Sequence, residues 1–284
     1  LRFFALQRFK KMIIPPLKCQ GIKTKLVSSI EALLPQYKGV WFEPFMGSGV
    51  VGFNIRPPKA VFCDSNPHII RFYNDLKIKK ITASLVRTFL EQESTNLKIY
   101  ADDYYKAVRD RFNLNPNSLD FVFLNRCCFN GMMRFNKKGQ FNVPFCKKND
   151  RLSKSYITKI VNQIHAVSEI IEKNDYTFKV QDFVDTIKEA SVDDFIYCDP
   201  PYIDRYSDYF NSWNESDEKK LSFSLSSTRS RFILSTWHHN KYRENIQISR
   251  YWNSFNINTI EHFYHLGAKE VNRNAMTEAF ISNF

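Results

Sequence analysis

Short apolar runs that stop abruptly at an acid or a glycine recur along this chain. Val40-Trp41-Phe42 leads into Glu43-Pro44-Phe45-Met46-Gly47-Ser48-Gly49, Ala60-Val61-Phe62-Cys63 into Asp64, and Phe195-Ile196-Tyr197-Cys198 into Asp199-Pro200-Pro201-Tyr202. Such runs, bounded by turn signals, predict strands buried on both faces. Residues 176–180 and 232–236 read the same way. Residues 67–76, 82–92, 102–112 and 153–173 carry helical length and periodicity. Thr24 predicts the cap of a further helix whose apolar face is Leu26, Ile30, Leu33 and Leu34 and which ends at Pro35. Near the C-terminus, 259–265 and 277–282 read as two strands flanking a polar loop at 267–274. This alternation predicts an α/β fold built on an open sheet. Its acids and glycines then lie at strand carboxyl ends, where open sheets bind ligands.

The chemistry follows from the residue types. A turn as poor in side chains as Gly47-Ser48-Gly49 lets a bulky ligand approach the backbone. It has no GxGxxG spacing, and no Lys-Thr pair follows, so neither a dinucleotide nor a triphosphate is indicated. Asp64 lies at about the separation expected for an acid that holds ribose hydroxyls. Asp199 can accept a hydrogen bond from an amino group, Pro200 aims its carbonyl at the same group, and Tyr202 offers a ring for a flat base. The group that fits is an exocyclic amine. Taken alone, DPPY reads equally well as a strand end before a rigid turn; the three segments in this order are far more specific.

With these residues in hand, the chain resembles the Dam-family DNA N6-adenine methyltransferases, most closely the EcoRV-type modification methylase. The resemblance runs from about Pro15 to the C-terminus. It rests on Pro16-Leu17-Lys18-Cys19-Gln20-Gly21-Ile22-Lys23-Thr24-Lys25, the Glu43 to Gly49 loop, Leu124-Asn125-Arg126-Cys127-Cys128-Phe129-Asn130-Gly131-Met132-Met133-Arg134-Phe135-Asn136 with 139–145, and DPPY. It implies a class I, Rossmann-like S-adenosylmethionine-dependent fold with a mostly parallel sheet, a terminal antiparallel hairpin formed by 259–265 and 277–282, and an inserted, mainly helical DNA-recognition domain. The catalytic domain is then 12–70 with 155–284, the insert 71–154, and 1–11 an extension, with Met12 a candidate natural start. The implied reaction is direct transfer of methyl to N6 of an adenine flipped from the duplex. Asp199 and the Pro200 carbonyl would accept the amino hydrogens and Tyr202 would stack on the base. The cofactor would be held by Lys23, Glu43, Phe45, Gly47, Asp64, Asp182 and Asp199, beside Cys19, which stands where Dam relatives usually carry tryptophan.

For DNA, residues 134–141 read as a hairpin turning at Lys137 to Gly139, small enough for the major groove. Resemblance assigns Arg134 to the first guanine, Met132 and Pro144 to later base pairs, and Phe129 to the stack beside the target, with Asn130, Lys137 and Lys138 adjoining. Read without the resemblance, Arg134, Lys137 and Lys138 are a solvated hairpin face.

Composition agrees with an anionic partner: 41 Lys plus Arg against 29 Asp plus Glu leave a net charge of +12. Double-stranded DNA is the expected partner, with a restriction endonuclease acting alongside but not in a stable complex. Six cysteines without CxxC spacing predict reduced thiols and no zinc site. His238-His239 reads as a loop pair for packing or phosphate contact. No apolar run has the length of a membrane span, and the expected location is the cytoplasm. An RNA N6-adenine or a DNA N4-cytosine methyltransferase is the alternative.

Overall fold

The computed structural model describes residues 11–203, 213–263 and 275–284. The apolar runs form Trp41–Glu43 (β1), Lys59–Asp64 (β2), Asp175–Val180 (β3), Phe195–Cys198 (β4) and Arg231–Asn240 (β5), all parallel. Asn256–Phe263 (β6) and Ala275–Ser282 (β7) close the sheet, with β7 antiparallel to both neighbours. Strand order is β3-β2-β1-β4-β5-β7-β6. The chain therefore has the expected class I methyltransferase architecture, a mixed sheet with a terminal antiparallel hairpin. The order reverses between β1 and β4, which makes their carboxyl ends the walls of the crevice where open sheets bind ligands. The expected 267–274 loop lies outside the described residues.

Period-two alternation divides the core between the faces. Trp41, Phe62, Tyr176, Phe195, Tyr197, Ile233 and Phe280 point into one cluster, while Phe42, Ile196, Cys198, Phe232, Leu234 and Ile281 point into another. Helices Val27–Leu33 (α1), Val50–Ile55 (α2), Pro67–Lys77 (α3), Ala83–Leu114 (α4), Ser118–Cys127 (α5) and Lys154–Lys173 (α6) cover the first face. Phe183–Glu189 (α7) and Glu215–Ser227 (α8) cover the second. The first cluster continues through α4 and α5 to Phe135, Phe141 and Phe145, so the segment between α3 and α6 shares an apolar core with the sheet.

Several expectations are corrected. Thr24 caps nothing: Leu26 donates to the Lys23 carbonyl at 2.9 Å, and this turn delays α1 to Val27, with Leu26 at its N-cap position and no side-chain cap. The helices expected at 82–92 and 102–112 are two arms of α4, broken at Ala101, whose φ of 48° is left-handed. His238 and His239 belong to β5 and not to a loop. Their Nδ1 atoms lie 2.8 Å apart, beside a register shift against β7. The 134–141 hairpin is a single bridge between Phe135 and Phe141, closed by Asn136 donating to the Gln140 carbonyl at 2.9 Å. Phe135 stacks on His68 of α3, which sets this short hairpin against the sheet domain.

Candidate active site

β1 ends at Glu43, and the chain turns through Gly47 and Gly49, both left-handed with φ of 48° and 70°. Gly49 allows no side chain, because a Cβ there would lie 2.5 Å from the Phe53 ring. At Gly47 a Cβ would meet only Cys19, at 3.8 Å from Sγ, which leaves an open cradle beside the backbone. Asp64, at the end of β2, fastens the turn: its carboxylate accepts from Gly47 N at 2.9 Å and Asn66 N at 2.8 Å. Burial pushes Asp64 up to about 6, against the pull of those two amides. Glu43 serves the fold first. Its Oε2 accepts from the Trp41 indole at 2.9 Å and Gly52 N at 3.1 Å, and burial lifts its pKa to about 8.

Across the crevice, Asp199 leaves β4 and meets Lys23, whose Nζ lies 2.9 Å from Oδ1. Lys23 is 3% exposed. Its ammonium also donates to the Tyr202 hydroxyl at 2.8 Å and lies 4.9 Å from the centre of that ring. The lysine expected at the cofactor therefore binds both ends of DPPY. Burial raises Asp199 to about 6; Lys23 opposes the rise and Glu278 adds to it. Glu278 of β7 accepts from the Tyr202 hydroxyl at 2.9 Å. Cys19 lies between the glycine turn and DPPY, and burial together with Asp64 and Asp199 holds its thiol neutral, well above the usual range.

An aromatic group flanks the turn. Phe45 stacks on Phe183 at 5.3 Å and meets the edge of Trp213 at 5.5 Å. Asp182, next to Phe183, is exposed and caps α7 by accepting from Val184 N at 2.8 Å. An open glycine cradle, an acid at the end of β2 and a nearby aromatic stack fit the nucleoside part of a cofactor, as the S-adenosylmethionine implied by the resemblance carries.

The recognition candidates group around α5 and the bridge that follows it. The Asn125 amide accepts from Lys18 N at 2.8 Å and donates to Lys18 O at 2.9 Å, tying α5 to the segment that carries Cys19. Gly131 packs on the Lys18 side chain, so the turn bearing Phe129 and Asn130 abuts that segment. Phe129 is 50% exposed, Asn130 is left-handed with φ of 54°, and Pro144 accepts from Phe129 N at 2.8 Å. Arg134 is half-buried, its guanidinium donating to Asn142 Oδ1 at 2.8 Å and to the Asn142 carbonyl at 3.2 Å. Met132 is half-buried, while Lys137 and Lys138 are exposed at the hairpin tip. Arg126 and Arg151 surround Tyr156 with Lys18, and none of the three forms an ion pair among the described residues. Sequence reading missed Glu278, Asn125 and this cation cluster. An acid in a terminal strand and an asparagine in an apolar helix carry no local sign of such partners.

No group of three or more metal-ligating side chains occurs among the described residues, and no described helix is long and apolar enough to cross a membrane. The family model of the D12 class N6 adenine-specific DNA methyltransferases matches residues 20–266. A type II methyltransferase, M1.LlaDCHI of Lactococcus lactis subsp. cremoris, is 29% identical over 293 residues, covering 98% of each chain. Modification methylase StsI of Streptococcus sanguinis is 28% identical over 288 residues, which are 97% of this chain but 43% of that protein. A DNA adenine methylase of Vibrio cholerae is 34% identical over 191 residues, 66% of this chain and 64% of its own. With DPPY and the glycine turn facing each other across the β1/β4 crevice, this chain belongs to the D12 class of N6 adenine-specific DNA methyltransferases.

Proposed function

We propose that the protein methylates adenine N6 at a specific site in duplex DNA, on a base flipped out of the helix. The observation that carries this reading is the Asp199 carboxylate, held beside Lys23 and Tyr202 at the crevice that also contains the glycine turn. An ionised Asp199 and the Pro200 carbonyl are paired acceptors for the two amino hydrogens, which draws the nitrogen lone pair toward the methyl donor. Tyr202 stacks on the base. Alignment and fixed charge then supply most of the acceleration. Bound S-adenosylmethionine supplies an electrophilic sulfonium methyl. Asp64 with the Gly47 turn, Phe45, Phe183 and Asp182 would hold it, and Lys23 keeps Asp199 ionised in the unreacted site.

Residues 71–154 serve as the recognition insert, with Arg134 reading guanine and Phe129 entering the stack beside the target. The half-buried Lys18 and Arg151 beside Tyr156 attract the phosphate backbone, and the exposed Lys137 and Lys138 add to this from the hairpin tip. The site is GATATC with the first adenine modified, or a relaxed sequence containing GAT. Relatives named as type II enzymes support a companion endonuclease. The test is incubation of plasmid DNA with S-adenosylmethionine followed by mapping of modified bases. N6-methyladenine at one short sequence is expected; N4-methylcytosine, or product only on RNA, overturns the reading.

A further inference from the structure

Glu278 is fully buried in the middle of β7, opposite Trp237 of β5 and Ile260 of β6. Its strand neighbours Ala279, Phe280 and Ile281 are apolar core residues. A carboxylate withdrawn from water at such a place is costly unless it is engaged. Alternation puts it on the face of Phe280, the face that also carries Tyr197 of β4. There its Oε2 accepts from the Tyr202 hydroxyl at 2.9 Å, the same hydroxyl accepts from Lys23 at 2.8 Å, and Lys23 lies 2.9 Å from Asp199. Four side chains distant in sequence thus form one series ending on Asp199. Glu278 is its fixed end, because β7 is hydrogen-bonded on both sides, whereas Tyr202 belongs to a connecting segment.

Resting on the reading of the site above, we propose that Glu278 is a positioning residue for methyl transfer: it anchors the Tyr202 hydroxyl and, through it, holds the Lys23 ammonium on Asp199. Two consequences separate this role from simple packing. The first is coupling: the part of the effect of Glu278 on Asp199 that passes through the Tyr202 hydroxyl is lost with that hydroxyl. The second is charge. Asp199 faces Lys23 from the turn before α1, Glu278 from β7, Glu43 from β1, Tyr197 and Cys198 from its own strand, and Cys19 from the segment before Lys23. Removing the Glu278 charge takes away a repulsion that favours protonated Asp199, so Asp199 ionises at lower pH.

The experiment is a double-mutant cycle on the full chain with steady-state kinetics and a pH profile. Glu278→Ala and Tyr202→Phe should each lower kcat about tenfold or more, with KM for S-adenosylmethionine within about twofold. The double variant should be no worse than the poorer single one. Glu278→Gln keeps an acceptor for the hydroxyl while losing the charge, so it should stay active and move the acid limb of kcat to lower pH. If Glu278→Ala does not fold, the Glu278→Gln profile decides alone. Multiplicative losses in the double variant, or an unmoved acid limb in Glu278→Gln, overturn the proposal. Wild-type protein run in parallel separates the two levels: no N6-methyladenine from wild type removes the functional reading itself, whereas an active wild type with uncoupled variants removes only the role of Glu278.

Discussion

Asp199 is balanced between burial, which favours its neutral acid, and Lys23, which favours the carboxylate, and it settles at about 6. Only the ionised form offers acceptors to both an amino hydrogen and the lysine. The kcat of the wild type should therefore fall as pH drops through about 6, and a pH profile flat from 5 to 8 would contradict the role given to Asp199. Asp199→Ala should abolish transfer while leaving duplex affinity within about tenfold, because affinity rests mainly on phosphate contacts made elsewhere. Turnover near the wild-type rate would sink the mechanism. Arg134 is the residue on which sequence preference should turn. Asn142 braces its guanidinium at the base of the hairpin, and under the proposed function that planar fork would grip the O6 and N7 of guanine. Arg134→Ala should lose about 1 to 3 kcal/mol of discrimination against a replaced outer guanine while still binding DNA. Competition between GATATC duplexes and versions with that guanine replaced measures it; full retention of the preference places the reader elsewhere.

At the scale of elements, the link from β1 to α2 combines backbone strain with a buried acid. Gly49 has a left-handed backbone and no room for a methyl group, since Phe53 is fully buried and cannot yield. Gly49→Ala should cost about 2 to 5 kcal/mol in urea unfolding, its left-handed φ and the clash with Phe53 together, and weaken S-adenosylmethionine in calorimetry. Gly139→Ala, with nothing within 4 Å, should cost only about 1 to 2 kcal/mol from its left-handed φ. Equal costs would deny the packing argument. Glu43 makes the same link sensitive to pH. Its acid is favoured in the fold, where burial lifts its pKa from the usual 4.5 to about 8. The stability it contributes is complete below about 4.5 and is lost as pH rises toward 8, up to about 5 kcal/mol. Glu43→Gln keeps an acceptor for Trp41 and Gly52, so denaturation at pH 5, 7 and 8.5 should show a shallower decline than wild type. Parallel declines would show that Glu43 is not the source. Strand placement was legible because a strand covered on both faces is a bare apolar run. Helix α5 was not legible: Phe121, Val122, Phe123 and Leu124 are all buried, so no polar face marks its period.

At the scale of the molecule, the charge of +12 acts as a field on a polyanion, and the exposed hairpin tip is where it can be altered without touching the site. Lys137→Ala and Lys138→Ala should each weaken binding to every sequence alike and reduce the slope of log affinity against log salt by about one. Binding titrations from low to moderate salt measure this; an unchanged slope takes both lysines off the DNA. The sequence by itself determined the class of sheet, the strands that carry chemistry, the glycine turn, and the acids and DPPY at strand ends, because periodicity, turn residues and strand punctuation are local properties. Only the tertiary structure decided that β1 lies beside β4, which brings Gly47 and Cys19 to the crevice of Asp199. It also decided that Lys23 binds DPPY directly, that Glu43 braces Trp41, and that Glu278 anchors Tyr202. A buried charge is explained by its partner, and these partners come from strands and turns far apart in the chain, so their meaning appears only once long-range pairing has been made.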